Sequence, residues 1–159
     1  FYAPLREVVS ITRDGAESAR RVPAAEDAEL LALWRDLRTR TAAIARALRP
    51  DHLSRTLGEG GDTLGRILRH LAGTTTYWRL HLQGRADEDV IKLWDPSFTP
   101  ERLAAELETD REEFLDEMPR HLPREREKLR RMIRHEAWHQ GQVAAAVRDS
   151  FPPDAVWRL

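Results

Sequence analysis

Apolar residues recur every three or four positions in four separate segments of the chain, and no strand-like alternation of comparable strength appears. The segments cover residues 23–49, 62–84, 99–119 and 123–148. This spacing places the apolar side chains on one face of an α-helix, and that face has to be buried against other helices. Four such helices of similar length predict an all-α fold, and we expect an antiparallel four-helix bundle in the up-and-down order.

Residues with known preferences for helix ends flank every segment. A proline in the first turn and a side chain that accepts a hydrogen bond at the N-cap begin helices, whereas glycine past the last turn and proline end them. The starting residues are Pro23, Asp62, Thr99 with Pro100, and Pro123, and the ending residues are Pro50, Gly84, Pro119 and the pair Pro152 and Pro153.

A length of 159 residues is typical of one domain. We therefore predict a single four-helix-bundle domain over residues 23–159, preceded by an N-terminal arm at residues 1–22. The connection at residues 85–98 is long for a helical bundle and carries apolar residues among acidic ones. Two interpretations of it stay open, namely a lid or docking surface and an apolar flap that seals one end of the core.

The composition excludes several classes of site and partner. No cysteine is present, which excludes disulfides, thiolate metal sites and a cysteine nucleophile. The 26 basic and 27 acidic residues nearly cancel, so we expect no nucleic-acid partner. No apolar run reaches the ~20 residues of a membrane span and no secretion signal is visible, so we expect a cytoplasmic protein without a membrane partner.

Three of the six histidines are candidates for a metal site. His135 and His139 lie four residues apart on the fourth helix, about 40° around its axis, so both rings can reach one point beside the helix. His70 lies midway along the second helix, one step from the apolar stripe, and can face the same point from a neighbouring helix. Three neutral imidazoles with open coordination positions are typical of a catalytic metal site. The other three lie too far along a helix or in loops: His52, His81 and His121.

The segment 135–139 also matches the metalloprotease pattern H-E-x-x-H. In that interpretation Glu136 is the general base of a metal-dependent peptidase or other hydrolase. The longer metzincin pattern is absent, because the segment Gly141-Gln142-Val143 follows His139 and Gln140 instead of the glycine and third histidine of that pattern. Glu136 can instead orient a metal-binding histidine by a hydrogen bond, or form a salt bridge inside the bundle.

Two motifs resemble those of the DinB/YfiT-like proteins. The segment 63–72, TLGRILRHLA, with Trp78 beyond it, resembles the second helix of that family. The segment 135–143, HEAWHQGQV, resembles its fourth-helix signature, a histidine pair followed by glycine and glutamine. The resemblance covers about residues 23–148. The chain departs from the family at Gln140, where a basic residue is common.

The resemblance implies a four-helix bundle that binds one divalent metal ion, Zn²⁺ or Ni²⁺, through His70, His135 and His139. It further implies a metal-dependent S-transferase that joins a low-molecular-weight thiol to a small electrophilic substrate. A metal-dependent hydrolase and a non-enzymatic metal-binding or interaction bundle stay open as alternatives. Family habit, with apolar residues in the arm and the 85–98 connection, predicts a homodimer, and those residues are Tyr2, Leu5, Val90 and Trp94.

Residues near the predicted site have more modest interpretations. Thr74 lies one turn after His70 and is expected to bond to its own helix, although it can also reach a metal-bound water. Arg131 lies one turn before His135 and is either solvated or a contact for an anionic cofactor. Gly141 is expected to let a neighbouring helix approach closely. Trp78 and Trp138 are expected in the core or in the wall of a pocket.

Overall fold

The computed structural model describes residues 24–57, 61–85 and 97–148. The predicted N-terminal arm and most of the 85–98 connection lie outside these residues. The helices are α1 (Ala25–Ala47), α2 (Pro50–Leu53), α3 (Leu64–Leu82), α4 (Pro100–Glu117) and α5 (Arg126–Val147), with a 3₁₀ turn at Met118–Arg120. Within the described residues the only β-type pairing is an isolated bridge between Thr56 and Thr63, so the all-α prediction is confirmed there. None of these helices combines the length and apolar character that a membrane span needs.

The helix ends follow the predicted signals with three differences. Pro50 ends α1 but also begins the short helix α2. The N-cap of α3 is Thr63 and not Asp62, because the Thr63 hydroxyl accepts a hydrogen bond from the Arg66 backbone N–H at 3.3 Å. The Asp62 carboxylate pairs with the Arg66 side chain instead. The last helix begins after the predicted Pro123, at Arg126, where turn residues give way to regular helix.

Contacts between side chains show that two pairs of helices run antiparallel. On α1 and α4, Trp34 lies against Phe114 with ring centroids 4.5 Å apart, and Arg46 pairs with Glu108 further along α1. Residue numbers therefore rise on α1 as they fall on α4. On α3 and α5 the Nε2 atom of His70 lies 3.0 Å from that of His135, whereas His81 contacts Lys128. These two helices also run in opposite directions.

The other two neighbouring pairs run parallel. Asp27 of α1 pairs with Arg126 of α5, and Thr41 accepts a hydrogen bond from Gln140. On α3 and α4, Thr76 bonds to Asp110 at 2.9 Å, and Gln83 bonds to Glu117 at 3.5 Å. The long helices therefore follow an up, down, down, up order, and the predicted up-and-down order is wrong between α3 and α4.

The length of the connection between α3 and α4 explains this order. Because the two helices are parallel, the chain has to return along the whole of α3, which is about 28 Å long at 1.5 Å per residue. The seventeen residues 83–99 can span about 56–61 Å when fully extended, which is ample for that return. Phe98, near the end of the connection, packs beneath Arg69 in the first half of α3. The unusual length of this connection is thus a requirement of the topology.

The core consists of two apolar clusters separated by a polar layer. One cluster lies around Leu68, Leu103 and Val143, and the other lies around Trp34 and Phe114. Between them, at mid-height of the bundle, the long helices bury polar side chains, and these are Arg38, Thr41, Thr75, Thr76, Asp110, Glu136 and His139. The candidate site lies at the edge of this polar layer.

Candidate metal centre

The three predicted histidines converge between α3 and α5. The Nε2 atom of His135 lies 3.0 Å from Nε2 of His70 and 3.1 Å from Nε2 of His139. Their ring centroids are 4.5–5.2 Å apart. The pair on α5 meets because residues four apart lie on one side of a helix, and His70 meets them because α3 runs antiparallel beside α5. Within residues 24–57, 61–85 and 97–148 this is the one group of three or more ligand-type side chains close enough to share an ion.

The spacing of the three nitrogens suits a divalent ion. Zinc–nitrogen bonds of about 2.0–2.1 Å in tetrahedral geometry separate neighbouring ligand nitrogens by about 3.3–3.4 Å. The separations of the His135 nitrogen from those of His70 and His139 are within a few tenths of an ångström of that value. Three imidazole ligands leave a further position for water or substrate, as in catalytic zinc sites.

The hydrogen bonding of His139 makes the cluster electron-rich. Its Nδ1 atom lies 2.7 Å from Oε1 of Gln142, an atom that can only accept, so Nδ1–H donates and Nε2 carries the lone pair. The Nε2 atom of His135 faces two other Nε2 atoms but can hold at most one hydrogen. At least one close nitrogen pair is therefore without a hydrogen bond, and a shared cation removes that repulsion. The donor set fits a metal ion.

The protein environment keeps the α5 histidines neutral, as metal ligation requires. Burial, together with the neighbouring His139 and His70 rings and the Arg38 charge, lowers the pKa of His135 to about 4. Burial also lowers the pKa of His139, although its bond to Gln142 opposes that shift. Both rings therefore offer lone pairs at neutral pH.

One side of the cluster is open to solvent. His139 is buried, His135 is half-buried and His70 is exposed. The Trp138 side chain is 61% exposed, and its ring lies 4.7 Å from the His139 ring. Tyr77, two turns along α3 from His70, is also exposed. The exposed His70 ring therefore makes the cluster accessible to solvent from this side.

The remaining histidines lie away from the cluster, as predicted. His81 contacts Lys128 at 3.1 Å, and His121 contacts Glu117 at 2.8 Å. His52 was expected in a loop between helices, but it is buried in α2. Its Nδ1 atom accepts a hydrogen bond from the Arg49 backbone N–H, so it closes the turn after α1.

Glu136 faces α1 and not the histidines. It is 1% exposed, its Oε2 atom lies 3.0 Å from Nη2 of Arg38, and its Oε1 atom accepts a hydrogen bond from the Thr41 hydroxyl. None of its hydrogen bonds within the described residues involves a histidine. This geometry agrees with the interpretation of Glu136 as an intramolecular salt-bridge partner, and it offers no support for a general base.

The other neighbours of the site behave in different ways. The Thr74 hydroxyl donates to the His70 carbonyl at 2.9 Å, the local bond that was expected. Trp78 packs against the second apolar cluster. The prediction for Gly141 is wrong for the described part of the chain, because a Cβ atom added there has no neighbour within 4 Å among those residues. Gln140 donates to the Leu37 carbonyl and to Thr41, so it joins α5 to α1.

Two residues of the site were missed in the sequence. Gln142 is detectable in principle, because it lies three residues after His139 on the same helix face. Arg38 has a weaker signal, a charged residue on the apolar stripe between Trp34 and Thr41. Its partners lie on other helices, so they cannot be identified from local spacing.

Comparisons of the chain with models of protein families, with curated proteins and with solved structures find no match. The family resemblance therefore rests on the two histidine motifs.

Proposed function

We propose that the chain is a DinB/YfiT-like four-helix bundle, in the up, down, down, up order, that binds one divalent metal ion. His70, His135 and His139 are the ligands, and Zn²⁺ or Ni²⁺ is the ion. The observation that carries this proposal is the convergence of three Nε2 atoms, with separations of 3.0 and 3.1 Å, on the open side of the bundle. The neutral state of His135 and the orientation of His139 by Gln142 add support.

The reaction proposed is the transfer of a low-molecular-weight thiol to a small electrophile in the cytoplasm, where thiols stay reduced. A bound divalent ion supplies the positive charge that keeps a thiol sulfur deprotonated at neutral pH. The sulfur forms a bond to an electrophilic carbon, the thiol proton passes to solvent, and the leaving group departs with the electrons of its bond. The chain has no cysteine, so the thiol belongs to a small molecule.

The exposed faces of Trp138 and Tyr77 support a small organic substrate. The Trp138 ring lies against His139, and Tyr77 lies two helical turns from His70 on the same face of α3. Aromatic faces of this kind bind planar or apolar groups while the ion binds a polar one. The opening is bounded by two helices, which favours a small molecule over a folded protein.

Metal content is the first test. Protein purified without added metal should contain close to one divalent ion per chain, or take up one on reconstitution, by elemental analysis. His135→Ala and His139→Ala should lose that ion, whereas His121→Ala should retain it because His121 contacts Glu117 and not the cluster. Absence of metal in the reconstituted wild-type protein would reject the proposal and favour an interaction module.

Turnover is the second test. The metal-loaded protein is assayed with an electrophilic reporter and a panel of biological thiols, beside a panel of esters and peptides. Thiol-dependent turnover that is lost in His135→Ala supports the transferase. Thiol-independent hydrolysis that is abolished in Glu136→Gln would instead establish the hydrolase, in spite of the pairing between Glu136 and Arg38.

A homodimer is also part of the proposal. The apolar residues that motivate it lie outside the described residues, at Tyr2, Leu5, Val90 and Trp94. Burial of such residues between two copies removes apolar surface from water and stabilises association.

A further inference from the structure

Arg38 joins the two helices that carry the histidines, although it belongs to neither. Its guanidinium Nη2 atom donates to the Leu71 carbonyl of α3 at 3.3 Å and to the Thr75 hydroxyl one turn further on. The same atom lies 3.0 Å from Oε2 of Glu136 on α5. Leu71 directly follows His70, and Glu136 directly follows His135. The buried Arg38 side chain therefore contacts α3 and α5 each at the residue that directly follows a histidine of the cluster.

Direct packing between α3 and α5 is less extensive than that between the other neighbouring long helices. α3 packs chiefly against α4, and α5 packs chiefly against α1. The distance between His70 and the α5 pair therefore depends also on side chains that cross the bundle from α1 to α3, as Arg38 does. Thr41 strengthens the connection to α5, because it donates to Glu136 and accepts from Gln140. Arg38 and Thr41 both contact α5, and Arg38 also contacts α3.

Fold stability does not explain well why Arg38 and Glu136 form a buried ion pair. The side chains of Arg38 and Glu136 are each 2% exposed, and loss of hydration offsets much of the attraction between two buried charges. Two further nitrogens of Arg38, Nε and Nη1, are buried without a hydrogen-bond partner among the residues that the structure describes. Apolar residues of similar volume are often as stable or more stable at such positions. A benefit in the positioning of α3 and α5 accounts for the pair better.

We propose that Arg38 is a positioning residue for the metal site, one that sets the spacing of α3 and α5 so that His70 completes the ligand set. This inference rests on the metal binding proposed above. His135 and His139 share one helix, so their mutual geometry does not need Arg38. His70 is exposed and belongs to α3, so its contribution to metal binding depends on the position of α3 and therefore on Arg38. Loss of Arg38 should reduce the site to the two histidines of α5.

The test is a double-mutant cycle on metal affinity. Arg38→Met alone leaves the Glu136 carboxylate buried and unpaired, so the variant of choice is Arg38→Met combined with Glu136→Met. Zn²⁺ affinity is measured by competition with a chromophoric chelator in this variant and in wild type, each with and without His70→Ala. Urea unfolding of the metal-free proteins monitors stability. Thr76→Val is the matched control, because it removes a buried hydrogen bond to Asp110 in the same polar layer but between α3 and α4.

We expect His70→Ala to lower Zn²⁺ affinity at least tenfold in wild type and in Thr76→Val, but less than threefold in the Arg38→Met/Glu136→Met background. A purely structural role would lower the free energy of unfolding without removing the contribution of His70. The inference is overturned when wild type binds Zn²⁺ through His70 and the double variant retains the full His70 effect. Failure of wild type to bind Zn²⁺ overturns the proposed function itself, and the inference with it.

Discussion

The His70→Ala substitution separates metal binding from fold stability. His70 is exposed, and the one side chain within hydrogen-bonding distance of its ring in the described chain is His135. Its replacement should therefore change the free energy of unfolding of the metal-free protein by less than about 0.5 kcal/mol. The effect should appear only when metal is present, because His70 is the one ligand that α3 contributes.

The expected size follows from binding linkage. Free Zn²⁺ at 100 times the dissociation constant stabilises the native state by about 2.7 kcal/mol. For a chain of this length each kcal/mol raises the melting temperature by roughly 2–4 °C, so the wild-type shift is about 5–11 °C. If loss of one of three ligands weakens binding about a hundredfold, the same Zn²⁺ concentration stabilises the variant by about 0.4 kcal/mol, or roughly 1–2 °C.

Thermal unfolding followed by circular dichroism, with Zn²⁺ and with excess chelator, measures both quantities. His121→Ala is the control, because it replaces another partly accessible histidine that pairs with Glu117 away from the cluster. It should keep the full metal-induced shift. If His70→Ala keeps the wild-type increase in melting temperature with Zn²⁺, the three-histidine site is refuted. If the metal-free variant melts at a clearly lower temperature than metal-free wild type, the view that His70 has no structural role is refuted.

Four further predictions concern the fold and the assembly. The metal-free protein should lose stability as the pH falls from about 6.5 towards 4, because the pKa of His135 is lowered to about 4 in the folded state and the unfolded state takes up a proton first. Urea unfolding at pH 7 and at pH 5 measures this loss, and the loss should be smaller in His135→Ala than in wild type. Trp34→Ala should cost about 3–5 kcal/mol in urea unfolding, since Trp34 is 0% exposed and packs on Phe114, and a cost below 1 kcal/mol would contradict that packing. Gly141→Ala should stabilise by about 0.5–1 kcal/mol in the same assay, because the helical position has open space for a Cβ atom, and destabilisation would indicate a contact there after all. Sedimentation should give about twice the 18.4 kDa chain mass at micromolar concentration, and a monomer would end the dimer proposal.

The sequence was informative where interactions are local. The apolar stripes and the Thr99 cap predicted the long helices, since the hydrogen bonds of a helix join residues four apart. The side-by-side arrangement of His135 and His139 follows from the same repeat. The N-cap of α3 shows the limit of such signals, because Asp62 and Thr63 are both good caps and the backbone selects one of them.

The sequence by itself determined the helices of residues 24–57, 61–85 and 97–148 and the histidine pair on α5, because the helical repeat alone fixes which side chains share a face. Only the tertiary structure decided that α3 and α4 run parallel, that His70 reaches the pair, and that Arg38 contacts both α3 and Glu136. These features join residues 33 to 98 positions apart, and their geometry depends on how whole helices pack and how long connections return. No local pattern encodes such distances, since a helix face can bury itself equally well against a parallel or an antiparallel neighbour.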